Sequence, residues 1–282
     1  MIVFYTRSTH HLAPFIDIKQ GGYTSKQFSD GEWYVQLEEE VADKTVWVIT
    51  ATNPPAEHVL ELLLLLDVLQ KNNAHIHILF TYFGYARQDR PLENEASSAH
   101  IMAKLLNLFS LEKIIIIHAH SLLLHNYLTF ENIIPSDVIC QTAQLYDAIA
   151  APDQGAYDLV QALGKACQME TIFLTKMRPE QEIVKILEYD GIVKAKNILI
   201  VDDIIATGNT VIEVAKTLQK LGATQVSVWA THGIFSASAQ EAIEKSAIKK
   251  VYVTNTLPQK SGYSKIEVIN IAPLIKQLIT SE

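Results

Sequence analysis

Cysteine is scarce in this chain: there are two, Cys140 and Cys167, in no CxxC pair. That excludes a thiolate zinc ribbon and a thioredoxin-like motif; the two read as reduced, mostly buried thiols of a cytosolic protein. Long apolar runs are also missing. The most hydrophobic stretch, Val59 to Leu69, is interrupted by Glu61 and Asp67 and is too short to span a bilayer. The opening MIVFYTRSTHH has no extended apolar core or small-residue cleavage site, so it reads as a first strand and not a leader. Positive charge is in deficit, with 23 Lys and Arg against 31 Asp and Glu and a net charge of −8. Non-specific nucleic-acid binding is thereby disfavoured, and an anionic substrate must be met by a local basic cluster. The sequence has no GxxxxGK[ST], no GxGxxG after the first strand, no GxSxG, no HExxH and no kinase HRD/DFG set. Any use of ATP must proceed without a Walker lysine.

What is present is globular: 282 residues, 49% hydrophobic and 19% charged, enough for two domains with their own cores. Strand-like runs at Ile2–Tyr5, Val46–Thr50, Ile76–Phe80 and Ile114–His118 alternate with helical patterns, including one from about Ala56 to Lys71 opened by Pro54-Pro55. Ser97 or Ser98 is placed to cap a helix running to about Phe109. A second alternation follows Pro135, with strands at Asp147–Ala151, Thr171–Thr175, Ile198–Val201, Val226–Thr231 and Lys250–Thr254. The pattern predicts an α/β protein of two doubly wound parallel-sheet domains, 1–136 and 137–271, with a terminal helix in 272–282 that packs on either.

The densest chemistry lies in Lys196–Leu221, KNILIVDDIIATGNTVIEVAKTLQKL. A continuous β-branched run reads as a strand buried on both faces. It ends in Asp202-Asp203, turns through Ala206-Thr207-Gly208-Asn209-Thr210, and enters a helix with apolar positions Val211, Val214, Ala215, Leu218 and Leu221, stopped by Gly222. Such a turn aims backbone N–H groups and a helix dipole at one point, a seat for phosphate. The carboxylates beside it suit ribose hydroxyls or magnesium. Gly208 and Asn209 both tolerate the positive φ that the turn needs. An ordinary βα unit with an acidic strand end explains composition equally well; the full pattern, however, resembles the 5-phosphoribosyl 1-diphosphate (PRPP) signature of the type I phosphoribosyltransferase fold.

A second segment, Thr81-Tyr82-Phe83-Gly84-Tyr85-Ala86-Arg87-Gln88-Asp89-Arg90, combines aromatic rings, a glycine and two arginines directly after a strand. Arginines there suit a polyphosphate and rings suit a purine, although a surface loop with a solvated ion cluster fits the bare composition. Tyr82 to Arg90 is similar almost letter for letter to the ATP-site signature of ribose-phosphate pyrophosphokinases, the PRPP synthetases. Phe28-Ser29-Asp30-Gly31-Glu32 resembles that family's second nucleotide loop, Pro152-Asp153-Gln154-Gly155 its pyrophosphate loop, and Lys176-Met177-Arg178 its catalytic loop.

The resemblance covers about Ser8 to Leu278, and its Lys-x-Arg form and short length look like the short, archaeal-like type. It implies ATP and ribose 5-phosphate as substrates, magnesium, a homo-oligomer in the cytoplasm, and neither nucleic acid nor membrane as partner. By it, Lys176 and Arg178 are catalytic. Phe28, Asp30, Glu32, Arg87, Gln88, Asp89 and His120 bind ATP. Asp202, Asp203, Ala206, Thr207, Gly208, Asn209 and Thr210 bind ribose 5-phosphate. Asp153, Gln154 and Gly155 form the pyrophosphate loop, and His120 and Asp153 stand beside the metal. Four positions depart from the pattern: His118 replaces a usual aspartate, Asn94 a usual glycine, Asn209 a second glycine, and Ala206 a usual aspartate or serine. The alternative they raise is a weak or inactive regulatory homologue. His118 and His120, two apart on an expected strand, would share one face, as would His75 and His77. The latter pair reads as a solvated strand entrance.

Overall fold

The structure, a computed structural model, describes residues 1–91, 93–177 and 185–281, of which 176–177 and 185–188 are described by backbone alone. The chain divides into two compact units. One comprises Met1–Ile134, Thr256–Pro258 and Ile271–Glu282, the other Pro135–Asn255 and Gln259–Asn270.

In the first unit, β1 (Ile2–Tyr5) leads to an antiparallel hairpin of β2 (Tyr23–Gln27) and β3 (Trp33–Leu37). Then come β4 (Thr45–Ala51), α1 (Glu57–Lys71), β5 (His75–Tyr82), α2 (Ser98–Leu106), β6 (Leu111–Ile117) and β7 (Glu131–Ile133). The sheet is parallel throughout, in the order β1-β4-β5-β6-β7. Strands this apolar form because both faces are covered. Val46, Val48, Ile76 and Ile78 pack under α1 and α2, while Trp47, Ile49, Leu79 and Ile115 pack against the C-terminal helix Ala272–Thr280. The leucines of α1 that go fully inside are Leu62, Leu65, Leu66 and Leu69, each contributing about 1.5–3 kcal/mol by burial. Leu60 stays 42% exposed. Glu61, which interrupts the apolar run in the sequence, is itself buried at 2% exposed.

In the second unit, α3 (Ser136–Ala143), β8 (Ala148–Ala151), α4 (Tyr157–Cys167), β9 (Glu170–Met177), β10 (Lys185–Asp190), β11 (Asn197–Ile205), α5 (Asn209–Lys220), β12 (Gln225–Gly233), α6 (Ala239–Lys245), β13 (Val251–Thr254) and β14 (Ile266–Ile269) follow in order. The sheet order is β10-β9-β8-β11-β12-β13-β14, antiparallel at β10 alone. The chain moves outward from β8 in one direction and from β11 in the other, so the strand order reverses between these two. Right-handed crossovers then place α4 and α5 on opposite faces. Tyr157 of α4 meets Phe173 and Thr175, while Val214 and Leu218 of α5 pack with Ile198, Ile200 and Val226.

The cysteines depart from expectation. Cys140 of α3 and Cys167 of α4 are joined in a disulfide with Cα atoms 5.1 Å apart. Twenty-seven residues separate them in sequence, a distance at which no spacing rule signals pairing; α3 and α4, packed together, bring them within reach.

Candidate active site

The reversal of strand order between β8 and β11 is where an open α/β sheet leaves a crevice at its carboxyl edge. Two sequence-identified segments meet there. β11 was expected to end at Asp202-Asp203; it continues to Ile205, paired with β12 through Ile205↔Gly233. Its pairing with β8 stops at Ile200↔Ala150. On the β8 side, therefore, the aspartates stand past the last ladder bond, next to the loop that leaves β8. In that loop Asp153 caps the following turn, accepting from Gly155 N–H at 3.1 Å.

These carboxyl groups interact. Asp203 N–H donates to Asp202 Oδ1 at 2.9 Å. Burial first, then the charge of Asp203, its hydrogen bond, and the charge of Asp153 push the Asp202 carboxyl well above the usual carboxylate range. Negative charge is thus crowded at the head of β11, and a cation or a row of hydroxyl donors relieves it.

Directly after β11, Ala206 and Thr207 bend into Gly208, which lies at φ 78° and precedes α5. Of the two residues expected to tolerate positive φ, Gly208 alone adopts it; Asn209 is the first residue of the helix. A Cβ on Gly208 would also stand 3.4 Å from Ile243 Cδ1. No side chain caps α5. Asn209 N–H makes a long contact to Thr207 Oγ1 at 3.5 Å; the other first-turn N–H groups have no side-chain cap and suit an anion, which the dipole favours there. Thr207 and Asn209 are exposed and Thr210 half-buried beside them.

In the first unit, the Thr81–Arg90 segment begins at the end of β5. Thr81, Tyr82, Phe83, Gly84 and Ala86 are buried, and Phe83 packs edge-on against Phe80 at 5.0 Å between ring centres. Two of the rings read from the sequence as flanking a purine, Tyr82 and Phe83, are therefore anchors in the core, while Tyr85 is half-buried. What reaches solvent is Arg87, Gln88 and Arg90, with Asp89 half-buried. Gly84 presses on the segment after β4: its N–H donates to Thr52 Oγ1 at 2.8 Å, and a Cβ there would lie 2.2 Å from Thr52 O. Tyr85 follows in the left-handed region at φ 65°, which an aromatic residue holds only when its surroundings impose it. The far end is pinned by two serines the sequence did not link to it. Ser98 Oγ donates to Gln88 Oε1 at 2.6 Å, and Ser97 Oγ to Gln88 O at 3.2 Å. Ser97 is also the cap of α2, accepting from His100 N–H.

The strand expected to carry both His118 and His120 ends at Ile117. His118 turns into the left-handed region at φ 47° and is buried, while His120 is exposed, so the shared-face argument does not apply. The other pair is not simply solvated: His75 Nδ1 lies 2.5 Å from Glu112 Oε1 and His77 Nε2 lies 3.3 Å from Oε2. These sit at the amino end of β5, away from the carboxyl edge. The tip of the β2–β3 hairpin is closed by Phe28 N–H to Glu32 O at 2.7 Å. Phe28, Asp30 and Glu32 are all exposed there. Lys176 lies on β9; its side chain, and Arg178 altogether, fall outside the described residues.

Comparison with known proteins matches residues 1–109 to the N-terminal domain of ribose phosphate pyrophosphokinase and residues 147–281 to a phosphoribosyl synthetase-associated domain. A ribose-phosphate pyrophosphokinase from Aquifex aeolicus (strain VF5) is 33% identical over 290 residues, covering 96% of this chain and 91% of that protein. One from Wolinella succinogenes is 30% identical over 289 residues, covering 98% and 94%. A solved phosphoribosylpyrophosphate synthetase from Mycobacterium smegmatis superposes with a TM-score of 0.90 at 24% identity, covering 99% of this chain and 97% of that one. The last is a likeness of fold, and the architecture is the parallel-sheet α/β type of the phosphoribosyltransferases. On sequence, the chain belongs to the ribose-phosphate pyrophosphokinase family.

Proposed function

We propose that the protein is a ribose-phosphate diphosphokinase: ATP and D-ribose 5-phosphate give PRPP and AMP. The sugar 1-hydroxyl attacks the β-phosphorus, the bond from that phosphorus to the α,β-bridging oxygen breaks, and AMP leaves with that oxygen. The observation that carries the reading is the juxtaposition, at the strand-order reversal, of an uncapped helix start with three carboxyl groups.

On this reading the 5-phosphate sits on the backbone N–H groups of Ala206, Thr207, Gly208, Asn209 and Thr210. Asp202 and Asp203 accept from ribose hydroxyls. Asp153, Gln154 and Gly155 face the diphosphate as it is added. Arg87, Gln88, Asp89 and His120 hold the triphosphate, and Phe28, Asp30 and Glu32 meet the adenine of a neighbouring subunit in a homo-oligomer. Lys176 and Arg178 stabilise charge on the moving β-phosphoryl group. Little covalent chemistry falls to the protein; positioning and charge neutralisation do the rest.

Magnesium fits the residues present. Asp153, Asp202 and Asp203 supply hard oxygen donors; burial first, and then the neighbouring carboxyl groups, raise the Asp202 carboxyl, and a divalent cation relieves the repulsive part. Among the described residues there is no group of three or more His, Cys, Asp or Glu side chains arranged to hold a metal ion. When bound, it supplies charge neutralisation of the phosphate oxygens. By the family resemblance alone, His120 and Asp153 are its candidate ligands.

The short, archaeal-like subtype remains part of the proposal, supported by the form Lys176-x-Arg178, although the relatives named above are bacterial. A cytoplasmic location belongs to it too, on the family resemblance alone, since the Cys140–Cys167 disulfide removes the reduced-thiol argument for it. Among the described residues no helix is long and apolar enough to cross a membrane. The test is to incubate the protein with ATP, magnesium and ribose 5-phosphate and separate products by ion exchange. AMP and PRPP in equal amounts support the proposal; no AMP, or AMP with another sugar only, rejects it.

A further inference from the structure

Glu61 is an anomaly of the sequence that the fold resolves. It stands in an otherwise apolar helix run, Val59-Leu60-Glu61-Leu62-Leu63-Leu64-Leu65-Leu66, and is buried. A leucine there would extend the core at no polar cost, whereas a buried carboxyl group must be bonded. Both its oxygens are. Oε1 lies 3.1 Å from the Tyr23 hydroxyl, and Oε2 accepts from Arg7 N–H at 3.1 Å. The Tyr23 hydroxyl also lies 3.0 Å from Tyr5 O, so its one proton is shared between two acceptors. Burial and the Glu61 carboxyl group keep that phenol protonated, well above the ordinary tyrosine range. Arg7 completes the set, its guanidinium 4.3 Å above the Trp33 ring.

Tyr23 and Trp33 occupy opposite ends of one hairpin. Tyr23 is at the root, paired with Leu37; Trp33 is next to the tip, paired with Gln27. The root is thus tied to Tyr5 and to Glu61 of α1, and the tip end to the Arg7 side chain, whose backbone N–H in turn meets Glu61. We infer that Tyr23, Glu61 and Arg7 form a latch that fixes the slope of the β2–β3 hairpin and thereby positions the nucleotide loop at its tip. They are positioning residues. The inference rests on the reading of Phe28, Asp30 and Glu32 as that loop. Four residue steps from Tyr23 to Gln27 span about 13 Å, so a 5° change of slope moves the tip by about 1 Å. A 1 Å error in placing a substrate costs up to about 10²-fold.

The test uses the full chain and compares Tyr23→Phe, Arg7→Ala and Phe28→Ala by steady-state kinetics and thermal unfolding. Tyr23→Phe removes one hydroxyl and keeps the ring beside Phe4, and so disturbs the core less than Glu61→Ala would. Expected is a rise in the KM for ATP of about tenfold in Tyr23→Phe and Arg7→Ala, with the KM for ribose 5-phosphate unchanged. A purely structural network would lower the unfolding temperature and leave both KM values alone. If Phe28→Ala raises the KM for ATP while Tyr23→Phe and Arg7→Ala do not, the latch is wrong and the loop reading stands. If Phe28→Ala has no effect either, the loop reading fails and the latch falls with it.

Discussion

Replacing Gly84 by alanine probes the nucleotide side of the site at its tightest point. The added methyl carbon would lie 2.2 Å from Thr52 O, 2.7 Å from Thr52 C and 3.2 Å from Asn53 N, all backbone atoms with no rotamer to yield. Ordinary contact begins at 3.4 Å, so the Thr81–Arg90 segment must move about 1.2 Å from the chain after β4. The Gly84 N–H to Thr52 Oγ1 bond stretches with it. Overpacking of this kind costs about 1–3 kcal/mol of stability. Because Phe83 and Ala86 are held in the core and Arg87 and Gln88 are exposed, displacement goes to the exposed part. A shift of that size at a group that positions substrate lowers turnover efficiency by about 10²-fold. The assay is kcat/KM for ATP and for ribose 5-phosphate, beside the unfolding temperature. A drop confined to ATP, with modest destabilisation, is expected; an unchanged kcat/KM for ATP in a folded variant would refute the assignment of this segment.

Asp202→Asn tests the crowded carboxyl groups. The folded state raises the Asp202 carboxyl above its usual value of 3.8, so its contribution to stability is complete below that pH and is lost as pH rises through the folded value. The variant should therefore unfold at a higher temperature than the parent at pH 7, with no gain at pH 3, while PRPP formation falls. Equal unfolding temperatures at pH 7 would show that the carboxyl is not raised. The disulfide makes a separate prediction: opening a closed loop of 27 residues costs about 3.5 kcal/mol in the chain-entropy account. Reduction, or Cys140→Ala with Cys167→Ala, should lower the denaturant midpoint of the second unit accordingly, and full alkylation of native, unreduced protein would show that the bond is not formed. Lys176→Ala should reduce kcat by about 10²–10³ with little change in either KM, as for loss of one preorganised donor; unchanged turnover would remove Lys176 from the mechanism.

The sequence made the parallel sheets and the phosphate turn legible because both are local. Val46–Thr50 and Ile198–Val201 are continuous apolar runs, and Gly208 is the turn's glycine. The short edge elements β7, β10 and β14, and the first strand of the hairpin, were not legible. Half-exposed strands of few residues, such as Ile266–Ile269, have too little pattern to separate from loops. The head of β11 was misplaced for a different reason. Asp202 and Asp203 look like strand-breakers in sequence, but pairing with β12 carries the ladder past them. Tertiary facts were hidden altogether: the Cys140–Cys167 pair, the burial of Glu61, and the grip of Ser98 on Gln88 each join residues remote or unremarkable in sequence. The aromatic segment erred by function: Tyr82 and Phe83 suit a purine by composition, and their place at the end of a buried strand commits them to the core.

The most direct measurement follows the label from ATP carrying ³²P in its γ-phosphate, incubated with ribose 5-phosphate, magnesium and the protein. The account predicts that label appears in PRPP in step with unlabelled AMP, because the β and γ phosphates move as one unit. Label in inorganic phosphate or in a sugar monophosphate ester, with ADP as the partner product, would contradict it.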